Sequence, residues 1–161
     1  MRRPWNLPCL PVYSLSTWQE NGGNMNICTY VTAISMSPKK YIVGVYEGTK
    51  TLENIRRHPK VILQLLGAEQ YRLVRLLGQK SGNSVNKLQK LADNISTSVH
   101  HETRQLYFLK DAVSIMYGTA TDCIDAGDHF AYLIEIDSFK NLHESPLLTT
   151  CILREKGIIR A

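Results

Sequence analysis

Apolar and β-branched residues alternate with polar ones through most of the chain, and the period changes only in the middle. Residues 12–18 (VYSLSTW) alternate as a strand does, and residues 26–36 form a second strand. The QENGGN between them carries Asn-Gly and Gly-Gly turn signals, so the two read as a hairpin. Residues 41–46 (YIVGVY) are a third strand, with Gly44 marking a place where backbone or ligand comes close. The period then lengthens. Gly48 to Ile55 reads as a short helix capped by Thr49 or Thr51, ending near His58 because Pro59 disfavours helical backbone in the residue before it. Residues 60–66 are a fourth strand. Leu73, Val74, Leu76 and Leu77 then make one face of a second helix, which Gly78 is expected to end.

Residues 79–86 (QKSGNSVN) are a polar loop, Val85 to Ile95 a weak helical turn or two, and residues 97–103 are read as irregular. From Leu106 the strand signal returns: residues 112–124 are a long strand, Asp125 to Asp128 (DAGD) a turn, and residues 129–136 run back beside it. Residues 147–153 are a last strand candidate, followed by a turn at REKG. Six or seven strands with two or three short central helices favour a mainly β, antiparallel barrel over a parallel βαβ sheet. With 161 residues and no linker, the chain is read as one domain over 1–161.

Composition narrows the class. Hydrophobic residues make up 43% and charged residues 20%, and no run of eighteen apolar residues is available to cross a bilayer. Pro4, Pro8 and Pro11 interrupt the apolar stretch after Arg2 and Arg3, which argues against a signal peptide. Cys9, Cys28, Cys123 and Cys151 are scattered without a CxxC pair and read as reduced thiols in a cytoplasmic protein. The net charge of +5 is spread along the chain, a field that suits an anionic small ligand or nucleic acid.

Three places carry candidate chemistry. In EGTKTLENI, Thr49, Lys50 and Thr51 stand at a helix start, where unpartnered N–H groups and the macrodipole favour an anion such as phosphate. The same residues also read as an ordinary threonine cap with a solvated lysine. In QKSGNSVNK, Ser81 and Gly82 lie between two lysines, a composition that suits phosphate or ribose and equally suits a surface loop. In AGDHF, Asp128 is placed to orient His129 as a proton donor or positioning group. His100, His101 and Glu102 have no third ligand at a recognisable spacing and are read as solvent-exposed rather than as a metal site. Neither GxSxG, GxGxxG nor a Walker A loop is present, so any difficult electronic step belongs to a cofactor.

The order of these motifs resembles the flavin reductase-like family of FMN-binding split barrels, from about Pro11 to Asp137. The resemblance rests on a hydroxyl-rich strand ending in Ser-x-x-Pro (Asn26 to Pro38), a small-polar turn into a helix (Gly48 to Ile55), Leu77-Gly78 followed by Ser81-Gly82 and Asn86-Lys87-Leu88, and the Gly127-Asp128-His129 turn. It implies an antiparallel Greek-key barrel that binds FMN, or FAD in its place, with NAD(P)H as electron donor. It also implies a homodimer with flavin near the subunit interface. Carried over, Asn26, Thr29 and Thr32 meet the isoalloxazine ring, Tyr46, Gly48, Thr49, Lys50 and Thr51 lie along the ribityl chain and phosphate, and Ser81, Gly82 and Lys87 close the phosphate side. His129 lies near the nicotinamide. Lys39 stands where many members have a second proline, and Asn86 and Leu88 replace an aspartate and a phenylalanine. Activity in the family divides between flavin reductases and carriers that pass electrons to a redox protein partner. Two readings from other classes stand beside it: a non-enzymatic small barrel binding single-stranded nucleic acid, which lacks a basic run interleaved with aromatics, and a flavin-less structural dimer. In a regular strand Thr29 and Thr32 point to opposite faces, so of the two Thr29 is the expected ring contact.

Overall fold

The computed structural model describes residues 3–20, 23–99 and 105–160. The strands are β1 (Tyr13–Thr17), β2 (Asn24–Cys28), β3 (Val31–Met36), β4 (Lys39–Tyr46), β5 (Lys60–Leu65), β6 (Ile95–Val99), β7 (Gln105–Leu109), β8 (Ser114–Asp125) and β9 (His129–Asn141). The α-helices are α1 (Lys50–Arg57), α2 (Val74–Gln79), α3 (Lys87–Lys90) and α4 (Thr150–Glu155). Seven strands form one antiparallel sheet in the order β2-β1-β5-β8-β9-β4-β3, and β6 and β7 form a separate hairpin. The architecture is mainly β, the split barrel expected, and no helix among the described residues is long and apolar enough to cross a membrane.

The sheet buries a different core on each face, which is why β5 (KVILQL) lacks polar alternation. Tyr13 and Leu15 of β1 and Val61 and Leu63 of β5 pack with Val43, Val45, Leu52, Ile55 and Ile134. The opposite face holds Met25, Ile62, Leu66, Leu77, Leu109 and Leu153. Gln64 of β5 donates to the Ser16 hydroxyl (3.0 Å) and accepts from Leu109 N–H (2.7 Å), tying the β6/β7 hairpin down, whereas the buried Ser14 hydroxyl of β1 has no hydrogen-bond partner among the described residues.

The expected continuous strand over 26–36 is two strands. Its halves sit at opposite ends of the seven-stranded order, β2 beside β1 and β3 beside β4, yet only Thr29 and Tyr30 separate them. Two residues span only about 10 Å, so the sheet must curl until its ends meet. The break is held by Gly44 N–H donating to the Tyr30 carbonyl (2.8 Å), and a Cβ on Gly44 would stand 3.0 Å from that of Tyr30. A side chain at Gly44 would push the two ends apart.

Other expectations are corrected. Residues 97–99 are strand, paired with β7, while the rest of 97–103 and the His100, His101, Glu102 trio lie outside the described residues, as do Asn21 and Gly22 of the first turn. Gly78 lies inside α2 and does not end it: a Cβ there would meet Ile27 at 3.4 Å, so the glycine serves close packing of helix on strand. The tail is helical. Thr149, counted for its strand propensity, instead caps α4 by accepting from Ile152 N–H (3.4 Å). The reduced-thiol reading is corrected for two of the four cysteines: Cys28 and Cys123 are free, but Cys9 and Cys151, 142 residues apart, are joined as a disulfide with Cα atoms 5.2 Å apart. Leu10 and Thr150 bring them together by hydrogen bonds in both directions, a juxtaposition no spacing rule encodes.

Candidate functional site

Where β4 ends at Tyr46 the chain turns through Gly48, at φ +73°, into α1. Thr49 is the cap: its hydroxyl accepts from Leu52 N–H (3.3 Å) and donates to the Tyr46 carbonyl (2.8 Å). The N–H groups of Lys50 and Thr51 have no acceptor within the helix and lie at its positive end. Facing them is the loop 80–86, folded on itself by Ser84 and Val85 N–H donating to the Ser81 carbonyl. Asn24 and Asn26 of β2 form the floor. Together these enclose a cleft of about 260 Å³ that contains Asn26, Tyr46, Gly48, Thr49, Lys50, Thr51, Ser81, Gly82 and Lys87. The tertiary structure therefore brings together nine of the twelve residues named from sequence.

Their orientations differ from the simple expectation. Thr51 is buried and its hydroxyl accepts from Asn24 Nδ2 (3.1 Å), part of a chain in which Asn54 Nδ2 donates to Thr17 (3.0 Å). Lys50 is held by Glu53 (3.1 Å), whose carboxyl lies below the usual carboxylate range because Lys50 and then Asn83 donate to it. Lys87 turns inward, donating to the carbonyls of Met25 (3.0 Å) and Leu77 (2.6 Å). Burial pushes its ammonium down to about 8, opposed by the neighbouring Cys28 thiol, which burial pushes up to about 12. Two of its three N–H bonds thus brace the walls rather than face a ligand. Gly82 sets the depth of the cleft, since a side chain there would collide with the Asn24 carboxamide and come within 3.1 Å of Lys50 Cβ.

Thr29 lies in a second cavity of about 350 Å³ that shares Gly78 and Gln79 with the first and is walled by Trp5, Pro8 and Arg154. Arg154 holds the N-terminal segment in place through the carbonyls of Asn6 (2.6 Å) and Leu7 (3.1 Å). Thr32 joins neither cavity: it sits on the exposed edge strand β3 opposite Ile42. His129 opens β9 with Nδ1 2.7 Å from Asp128 Oδ1, and its ring packs against Tyr46 (centroids 5.0 Å) and Tyr30 (5.2 Å). Since Tyr46 also lines the cleft, the imidazole stands at its margin. Asn24, Gln79 and Lys80 line the cleft as well and were not singled out as ligand contacts. Lys80 was legible as one of the two lysines bounding the loop, whereas Asn24 read only as a turn residue.

The donor set fits a phosphoester: two helix N–H groups, the Ser81 hydroxyl, the Asn26 amide and a glycine-lined wall. The family model of the flavin reductase like domain matches residues 7–151. The chain belongs to the flavin reductase-like family. These proteins are oxidoreductases, and several solved structures share the fold. An FMN-binding protein from Thermus thermophilus is 17% identical with TM-score 0.76, the match covering 88% of this chain and 75% of that one. The NADH:FAD oxidoreductase of Streptomyces globisporus C-1027 is 16% identical with TM-score 0.74, covering 87% and 80%. Flavoredoxin from Methanosarcina acetivorans is 14% identical with TM-score 0.74, covering 88% and 74%. At these identities the similarity is one of fold. A search of curated proteins found no match.

Proposed function

We propose that the protein binds a flavin nucleotide in the cleft between α1 and the loop 80–86 and acts as an NAD(P)H-dependent flavin reductase or a flavoredoxin-like electron carrier. The observation that carries this reading is the convergence of the α1 N-terminus, Ser81 and Gly82 over Asn26, with His129 at the margin, in a chain of this family. The α1 N–H groups of Lys50 and Thr51, with the Ser81 hydroxyl, hold the phosphate, while Thr49 fixes the helix start. Asn26 and Thr29, on either side of Ile27 and Cys28, meet the ring where the two cavities adjoin. When bound, the flavin supplies hydride and electron transfer. With Nδ1–H directed at Asp128, His129 keeps Nε2 for the nicotinamide carboxamide or a proton. The edge strand β3, with Ile34 and Met36 exposed, is the surface on which a second copy pairs to form a homodimer.

Purified protein is expected to be yellow, or to bind added FMN, and to release FMN on denaturation. A colourless protein that ignores both FMN and FAD sinks the proposal. NAD(P)H oxidation measured with and without free flavin separates reductase from carrier.

A further inference from the structure

The N-terminal segment, residues 3–10, contributes Trp5, Asn6, Pro8 and Leu10 to the wall of the second cavity, the one that holds Ile27 and Thr29. Past Leu10 the chain is fixed by the Pro11–Thr149 bridge and by β1; before it there is only the 3₁₀ turn Pro4–Asn6. The segment is cross-linked to α4 at its base by the Cys9–Cys151 disulfide. We propose that this disulfide is a thiol–disulfide exchange site that takes a dithiol as substrate, and that its reduction loosens the segment from the second cavity. The control this gives over a bound flavin rests on the proposed flavin reading; the exchange and the loosening do not.

The two sulfurs stand in unequal surroundings. Cys9 is exposed, whereas Cys151 is half-buried with Arg154 Nη2 3.1 Å from its sulfur. Attack therefore falls on Cys9. A thiolate of the dithiol bonds to Cys9 Sγ, the bond between the two cysteines breaks, and the electron pair leaves on Cys151 Sγ as a thiolate held against the guanidinium. The second thiol of the reductant, its proton lost to solvent, then attacks the first and expels Cys9, which takes up a proton. Two electrons pass from the dithiol, which ends as a disulfide, to the protein, which ends as two cysteines; the remaining proton stays in solvent while Cys151 is a thiolate.

Arg154 carries the change to the segment. The same Nη2 that faces Cys151 Sγ donates to the carbonyls of Leu7 (3.1 Å) and Pro8 (3.5 Å), so two hydrogens serve three acceptors. In the disulfide the sulfur is a neutral, weak acceptor. As a thiolate it is an anion, and a charge-assisted hydrogen bond is about twice as strong as a neutral one. Reduction thus draws Nη2 toward Cys151 and away from Leu7 and Pro8 at the moment the covalent tie is lost. The bonds from Arg154 Nη1 to the Asn6 carbonyl and from the Thr150 hydroxyl to the Pro8 carbonyl (3.0 Å) remain, so the segment is loosened rather than freed.

Thiol counting and amide hydrogen exchange, both read by mass spectrometry, test this on the full chain carrying Cys123→Ser, so that the exposed free thiol takes no part. The protein is oxidised with diamide and then reduced with dithiothreitol. Alkylation after denaturation should find only Cys28 free before reduction, and Cys9 and Cys151 free as well after it. All three free in both states overturns the exchange site. Peptides covering residues 3–10 should exchange at least about tenfold faster in the reduced protein, with those of β5 and β8 unchanged. Equal exchange in the two states overturns the loosening. Cys9→Ser should exchange fast with and without dithiothreitol, and slow exchange in that variant overturns it too. Arg154→Lys, which keeps the charge but not the fork, should exchange fast while its disulfide is intact; slow exchange there removes Arg154 from the mechanism. In FMN-loaded protein, reduction should speed FMN release about tenfold. A loosened segment with unaltered release overturns the control of flavin, whereas redox-dependent exchange in a protein that binds neither FMN nor FAD would retain the switch and remove the flavin reading.

Discussion

Replacing Lys87 by methionine tests whether the cleft is braced from below. In the wild type the buried ammonium joins the Met25 carbonyl of β2 to the Leu77 carbonyl, an orphan acceptor in the last turn of α2. Methionine keeps the length of the side chain and removes both donors. Each carbonyl left buried without a partner costs about 1–3 kcal/mol. Relief from burying a charge offsets this by at most about 3 kcal/mol, from the fall of 10.5 to about 8 at roughly 1.4 kcal/mol per pH unit. The two carbonyls together cost about 2–6 kcal/mol, so with the full offset the central expectation at pH 7 is a net loss of about 1 kcal/mol, a Tm lower by about 2–4 °C.

The pH dependence sharpens the test. Below pH 8 both folded and unfolded Lys87 hold the proton, and the full cost of a buried charge is present. Between about 8 and 10.5 the folded residue sheds a proton that the unfolded chain keeps, so wild-type stability from Lys87 rises. Cys28 acts oppositely from about pH 9, because the folded thiol, at about 12, keeps a proton that the unfolded one loses. The gap between wild type and Lys87→Met therefore widens from pH 7 to pH 9; between about 9 and 10.5 the two effects cancel in wild type, and Cys28→Ala lets stability go on rising there. Urea unfolding at pH 7, 8, 9 and 10 measures this. Equal stability of wild type and Lys87→Met at pH 7, or a gap that narrows toward pH 9, refutes the bracing role.

Thr51→Val keeps the shape but strands the Asn24 amide, and it is expected to lower stability by about 1–3 kcal/mol in thermal melts and to weaken FMN binding in fluorescence titration. Gly82→Ala forces the loop away from Asn24 and Lys50; FMN affinity should fall at least about tenfold, since 1.4 kcal/mol suffices, and unaltered affinity would place the phosphate elsewhere. His129→Asn should reduce NAD(P)H oxidation about 100-fold while leaving the FMN dissociation constant within about twofold, because the ring sits at the margin of the cleft rather than in it. Ile34→Asp places a carboxylate on the exposed edge strand, and sedimentation analysis should show monomer in place of dimer; a variant that stays dimeric moves the interface off β3.

Local chemistry was enough to read much of the chain. Thr49 as a cap, Pro59 as the end of α1, the alternation of β1 and the turn at Gly127 depend on residues within one turn or one strand. Those signals placed nine cleft residues on the right elements, and motif order supplied the family. Apart from the tail, where Thr149 caps α4 through Ile152 three residues on, the misreadings involve partners distant in sequence. Apolar continuity made 26–36 one strand, because nothing local records that Gly44 would hold Tyr30 and send the two halves to opposite ends of the sheet. Gly78 looked like a stop signal until Ile27 was packed against it. Thr32 shared the composition of Thr29 but falls on the exposed edge, and Lys87 had the charge expected of a phosphate ligand but not the orientation. Residue type and spacing determined what each element is and which donors this protein owns; the closing of the sheet decided which of them face one cleft, because orientation depends on contacts made across tens of residues of intervening chain.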